Sequence, residues 1–142
     1  MRLALVATFV ALVICGCGKK QANLPPFVKM ASGLQYRDIK QGTGSEAKAG
    51  DSVTVHYKGW LDNGKVFDHS RKPGAGPLSF VIDSGSVIKG WEEGIKGMKV
   101  GGVRELIVPP ALGYGDEDQG AIPPNSTLHF EIELLATGTP GV

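Results

Sequence analysis

Glycine and proline recur so often in this chain, 21 and 9 of its 142 residues, that only one stretch can carry a convincing helix. Glycine costs helices backbone entropy and proline lacks the N–H that a helix interior needs, so both favour turns and short strands. The exception is Val87 to Ile95 (VIKGWEEGI), where Val87, Trp91 and Ile95 share one face at i, i+4 and i+8 spacing. Ser84 or Ser86 is expected to cap its start, and Gly94 or Gly97 to end it.

The remainder reads as strands. In Ser52 to Leu61, Val53, Val55, Tyr57, Gly59 and Leu61 alternate with Thr54, His56, Lys58 and Trp60, the period of a half-buried strand. Asp62-Asn63-Gly64-Lys65 then reads as a hairpin turn with positive φ at both central residues. Further strands are expected at 34–41, 66–68, 77–83 and 103–108, the last stopped by Pro109-Pro110. In 127–136, Leu128, Phe130, Ile132 and Leu134 alternate with His129, Glu131 and Glu133. Several strands and one helix make an α+β domain, an antiparallel sheet packed on that helix.

The first residues are of another kind. Arg2 precedes an uncharged run, Leu3 to Ile14, which is too short to span a bilayer and suits the apolar core of a signal peptide. Ile14-Cys15-Gly16-Cys17 resembles the lipobox of bacterial lipoproteins, with Cys17 as the lipidated residue. The expected organisation is a signal peptide over 1–16, lipidated Cys17 and a linker to residue 32, a domain over 33–137, and a tail over 138–142. Both cysteines lie in the first segment, so the domain can hold no internal disulfide. Without Arg2 the chain has 14 basic and 14 acidic residues, a balance that gives it no electrostatic reason to bind nucleic acid. His56, His69 and His129 lack metal-ligand spacing, and no metal or cofactor is expected.

The segments VHYKGWLDNGKVFDHS, VIKGWEEGIKGMKVGG, IVPPALGYG and AIPPNSTLHFEIELL resemble the FKBP-type peptidyl-prolyl isomerases, over a hundred residues in order. The resemblance implies a five-stranded antiparallel half-barrel sheet wrapped around one short helix, with a proline pocket between sheet and helix. It implies that Tyr57, Asp68, Trp91 and Tyr114 do the catalytic work and that Phe67, Leu78, Val87, Ile88, Ile122 and Phe130 bind substrate. Trp91 would floor the pocket and Tyr57, Phe67 and Phe130 would wall it. The Tyr114 phenol and the Ile88 N–H would hold substrate carbonyls, and Asp68 would order the wall by accepting a hydrogen bond. Taken singly, the strand aromatics and Trp91 read as core, and Asp68 as a turn acceptor. Two positions depart from the family pattern: Leu78 stands where Phe is frequent, and the acidic loop between Tyr114 and Ile122 lacks the His of some members.

Such a site needs no nucleophile. Rotating an X–Pro bond sacrifices amide resonance, against a barrier of roughly 18–20 kcal/mol. The twisted amide is less polar than the planar one, so a dry apolar pocket favours the transition state. The expected partners are proline-containing polypeptides, rapamycin-like macrolides as inhibitors, and a membrane through the lipid on Cys17. A monomer is expected, anchored at the outer membrane if the cell has one, because Gly18 is not the Asp linked with inner-membrane retention. The competing reading is a proline-segment binding module without turnover.

Overall fold

The alternation in the two longest apolar-polar stretches builds the centre of the molecule. The computed structural model describes residues 24–139; the stretch read as a signal peptide, Cys17 and the last three residues lie outside the described residues. The strands are β1 (Val28–Lys29), β2 (Gln35–Lys40), β3 (Ser52–Leu61), β4 (Val66–His69), β5 (Leu78–Val81), β6 (Val103–Val108) and β7 (Leu128–Gly138), with helix α1 (Lys89–Ile95) between β5 and β6. β3 and β7 run antiparallel from Ser52 opposite Gly138 to Leu61 opposite Leu128. Their inward residues Val53, Val55, Leu128, Ile132 and Leu134 are fully buried. Each such side chain contributes about 1.5–3 kcal/mol by leaving water.

The sheet order is β1-β2-β6-β7-β3-β4, with β5 also on β3. β5 pairs with Ser52 to Val55 and β4 with Lys58 to Trp60, so the two short strands share one lane along β3. The sheet is therefore five lanes wide from β2 to the β4/β5 lane, as the resemblance implies, plus the two-residue edge strand β1. Part of the stretch read as linker is thus structured. Val28 pairs with Tyr36, the Arg37 guanidinium lies 4.3 Å over the Phe27 ring, and Ser32 Oγ donates to Glu93 at 2.7 Å. Ser32 and Glu93 lie 61 residues apart, so no local pattern announces that bond.

The turn after β3 also differs from expectation. Gly64 has φ 84° but Asn63 does not have positive φ. Leu61 and Lys65 close a loop in which Asn63 Oδ1 accepts from the Lys65 N–H at 2.9 Å. One left-handed glycine after an ordinary turn, with a register shift between Gly59 and Trp60, is the bulged alternative to the two-residue turn.

Helix α1 packs against β6 with two glycines facing the sheet. A Cβ on Gly90 would stand 2.6 Å from Val108, and one on Gly94 2.7 Å from Leu106. Gly97, with φ 87°, follows its last turn, so Gly97 and not Gly94 ends the helix. The orphan carbonyls there are met by Arg104, which donates to Gly94 O at 2.9 Å and Lys96 O at 3.3 Å. Arg104 is itself held by both Asp38 oxygens, at 2.7 and 3.2 Å. At the other end the expected serine cap is absent: Ser84 Oγ donates to Val81 O and pairs with Ser86. Ile88 occupies the cap position in an extended conformation, without a side-chain bond. Glu92, on the first turn, instead accepts the N–H groups of Asp83 and Gly85 and fixes the loop entering the helix.

Candidate functional site

Between the concave face of the sheet and the start of α1 lies a cavity of about 210 Å³, lined by Tyr57, Phe67, Asp68, Leu78, Ser86, Val87, Ile88, Trp91, Tyr114 and Phe130. Nine of the ten expected site residues line it. Ile122 does not: it is buried beside the cavity, in a neighbouring depression that shares Phe67, Asp68 and Tyr114. Ser86 and Phe80 were not expected. Ser86 lines the cavity, and the buried Phe80 ring tilts against Trp91 at 5.9 Å. Phe80 follows Leu78 by two on β5, so strand alternation alone could have found it.

The aromatic rings interlock edge to face. Trp91 lies 5.0 Å from Tyr57 and 5.2 Å from Phe130, and Phe130 lies 5.6 Å from Phe67, with interplanar angles of 73°, 86° and 87°. Such arrangements suit the ring quadrupoles and contribute about 0.5–1.5 kcal/mol per pair beyond area burial. Gly59 makes the wall possible, since a Cβ there would meet Phe67 at 2.6 Å and Phe130 at 2.9 Å. The Trp91 indole N–H is buried with no hydrogen-bond acceptor among the described residues, consistent with its enclosure by rings.

The polar groups stand at the rim. Tyr57 on β3 donates its phenol hydrogen to Asp68 Oδ2 at 2.5 Å across to β4. Asp68 Oδ1 accepts from Lys72 Nζ at 3.0 Å and from the His69 N–H at 2.8 Å. Burial and the bond to Asp68 push the Tyr57 phenol up to about 12. Burial alone would raise Asp68, but the hydrogen bonds from Tyr57, Lys72 and His69 outweigh it and hold the carboxyl below its ordinary value. The Ile88 N–H, at the helix entry where no carbonyl of a preceding turn can reach it, has no acceptor among the described residues. Tyr114 is carried by the loop after the short 3₁₀ turn Pro110–Leu112. Gly115, at φ 58°, donates to Pro110 O at 2.8 Å and holds that loop closed. The arrangement can take an apolar ring against Trp91 and offer donors to carbonyls at its edge.

The histidines serve elsewhere: His56 meets Ser70 at 2.9 Å, His69 Nδ1 accepts from the Arg71 N–H, and His129 pairs with Asp62 at 2.6 Å.

Residues 43–135 match the family model described as FKBP-type peptidyl-prolyl cis-trans isomerase. The FK506-binding protein of Neisseria meningitidis serogroup B is 50% identical over 104 residues, 72% of this chain and 94% of that protein. FK506-binding protein 4 of Neurospora crassa is 53% identical over 108 residues, 76% of this chain but 23% of that protein. Among solved structures, FkpA from Escherichia coli matches with TM-score 0.74 and 44% identity, covering 81% of this chain and 53% of that one. AtFKBP13 matches with TM-score 0.74 and 43% identity, covering 80% of this chain and all of that one.

Proposed function

The chain belongs to the FKBP-type peptidyl-prolyl cis-trans isomerase family, and we propose that its aromatic cavity is where X–Pro bonds of exported proteins are carried through the twisted state. The observation that supports this most is a ring-lined cavity with polar groups at its rim and an unpartnered N–H, that of Ile88, at its edge. The proline ring sits against Trp91, between Tyr57, Phe67 and Phe130. Ile88 N–H and the Tyr114 hydroxyl receive the flanking carbonyls and hold the chain while one side of the amide turns. The planar amide loses polarity as it twists, so exchanging water for rings costs the transition state less than the ground state. Asp68 acts through Tyr57: accepting its hydroxyl hydrogen fixes the ring that forms one wall. Val87, Leu78 and Ile122 add apolar surface around the chain on either side of proline.

The same cavity is proposed to take macrolides of the kind for which the relatives are named. The site needs no second copy of the chain, in keeping with a monomer. We further propose that residues 1–16 direct export and that Cys17 carries the lipid, on the outer membrane where there is one. From Cys17 to Leu24 the chain can extend at most about 25 Å, so the domain would work close to the bilayer.

The test is isomerisation of short peptides with an apolar residue before proline by the chain from Leu24 onward. Acceleration that a rapamycin-like macrolide abolishes is expected. A well-folded sample that binds the peptides and leaves their exchange at the buffer rate would instead support a binding module.

A further inference from the structure

The central cavity does not end at its rim. A depression of about 280 Å³ shares Phe67, Asp68 and Tyr114 with it and continues over Lys72 and Gln119. A second, of about 430 Å³, shares Val87, Ile88 and Tyr114 and continues past Lys89 to Asp116 and Glu117. Tyr114 is common to all three, so a chain with its proline ring in the centre has an arm of groove on either side of that residue.

The two arms differ in free charge. In the first, Lys72 is committed to Asp68 at 3.0 Å, and Asp68 to Tyr57. In the second, Asp116 has no partner among the described residues, and Glu117 receives only a 3.4 Å contact from Gln119. Lys89 is the only cation lining this arm, against two carboxylates. Asp118 behaves differently from its neighbours: its Oδ1 accepts the Gly120 N–H at 2.8 Å, and it lines none of the three depressions.

We propose that Asp116 and Glu117 are specificity-determining residues, which make the protein favour proline segments carrying lysine or arginine beside the proline and disfavour those carrying aspartate or glutamate. The inference rests on the reading of the central cavity as the X–Pro site. A substrate side chain in the arm is brought within a Debye length of both carboxylates, while apolar Val87 and Ile88 line the same arm. Exposed charges at such range act through a screened field, so the effect is modest and salt-dependent.

The experiment compares, with the full chain, peptides that differ only in Lys, Gln or Glu, placed either before or after proline. Exchange is followed by NMR, which needs no coupling protease. On the side that occupies the acidic arm, kcat/KM for Lys over Glu should be about two- to five-fold at low salt and should approach one at about 1 M salt. Asp116→Asn with Glu117→Gln should bring the ratio near one and leave the Gln peptide unchanged. Asp118→Asn removes one charge of the same loop from outside the arm and should lower the ratio far less than the double variant does, whereas Lys89→Gln should raise it. A low-salt ratio near one on both sides, with the Gln peptide turned over, overturns this inference and leaves the isomerase reading intact. Asp118→Asn collapsing the ratio as fully as the double variant overturns it too. Failure to turn over the Gln peptide would instead bring down the reading on which it rests.

Discussion

Tyr57 and Asp68, bonded at 2.5 Å, shift each other's titration in opposite directions. The phenol is raised to about 12, so its contribution to stability is complete below its ordinary value of 10.0 and disappears as pH climbs through 12. Asp68 is lowered from 3.8, so its contribution is present above that value and disappears as acid protonates the folded carboxylate below it. Between these limits neither partner changes charge. The isomerisation rate should therefore be level from about pH 5 to about pH 9, and a bell-shaped profile with a limb in that window would reveal a titrating group that this mechanism lacks. The pair also separates positioning from packing. Asp68→Leu should let the Tyr57 ring turn, and Tyr114→Phe should remove a donor. Each hydrogen bond is worth about 1–1.5 kcal/mol, hence a fall of roughly tenfold in kcat/KM. The Asp68 side chain is 36% exposed, so water takes up part of its bonding and its loss should lower the melting temperature by only a few degrees. If both variants kept the full rate, the catalytic roles proposed for them would be wrong.

At the scale of elements, the site is a product of how closely strands and helix approach. Gly59 on β3 makes room for Phe67 and Phe130, while Gly90 and Gly94 let α1 settle on Val108 and Leu106. Gly59→Ala should therefore push the two rings into the cavity, costing about 1–3 kcal/mol by overpacking and slowing turnover as well. Phe130→Ala acts in the opposite sense, emptying the wall and costing about 3–5 kcal/mol. Urea unfolding measures both losses, and the peptide assay shows whether a filled and an emptied wall each cost activity. The sequence made much of this legible, because β3, β7 and the Trp91–Ile95 face of α1 follow periods of 2 and 3.6 that any reader can count; Val87, expected on the same helix face, instead precedes the helix, which starts only at Lys89. It hid what depends on distant partners. Nothing local to Arg104 tells that it caps α1 from β6 while gripping Asp38, 66 residues away. Ser84 and Ser86 have the chemistry of a cap, but the preceding turn uses them, and this leaves the Ile88 N–H free at the cavity. Ile122 matched a family motif, but it lines an adjoining depression and not the central cavity, a difference of placement that a motif does not encode.

At the scale of the whole molecule, the fold is held together by its core alone. No cysteine follows Cys17, so cohesion comes from Leu34, Ile82, Ile95, Leu106 and the other wholly buried side chains, with no cross-link to assist them. The N-terminal boundary belongs to the same account. β1 covers the edge of β2, and Met30 packs against the core, so the folded unit reaches back beyond Gly33. Fewer residues then separate Cys17 from the sheet, so the lipid proposed at Cys17 would be a close tether. Three chains test this together: the full one, the same with Cys17→Ser, and one beginning at Gly33. Cys17→Ser should lose incorporation of labelled lipid and give an unprocessed or soluble product that still isomerises peptides, since every residue lining the cavity lies well beyond Cys17 in the chain. The chain beginning at Gly33 should keep its pocket but unfold at lower urea, because it exposes the β2 edge and gives up the contacts of Phe27, Met30 and Ser32. Lipid label persisting in Cys17→Ser would move the modification elsewhere. Equal stability of the Gly33 chain would return residues 24–32 to the role of linker.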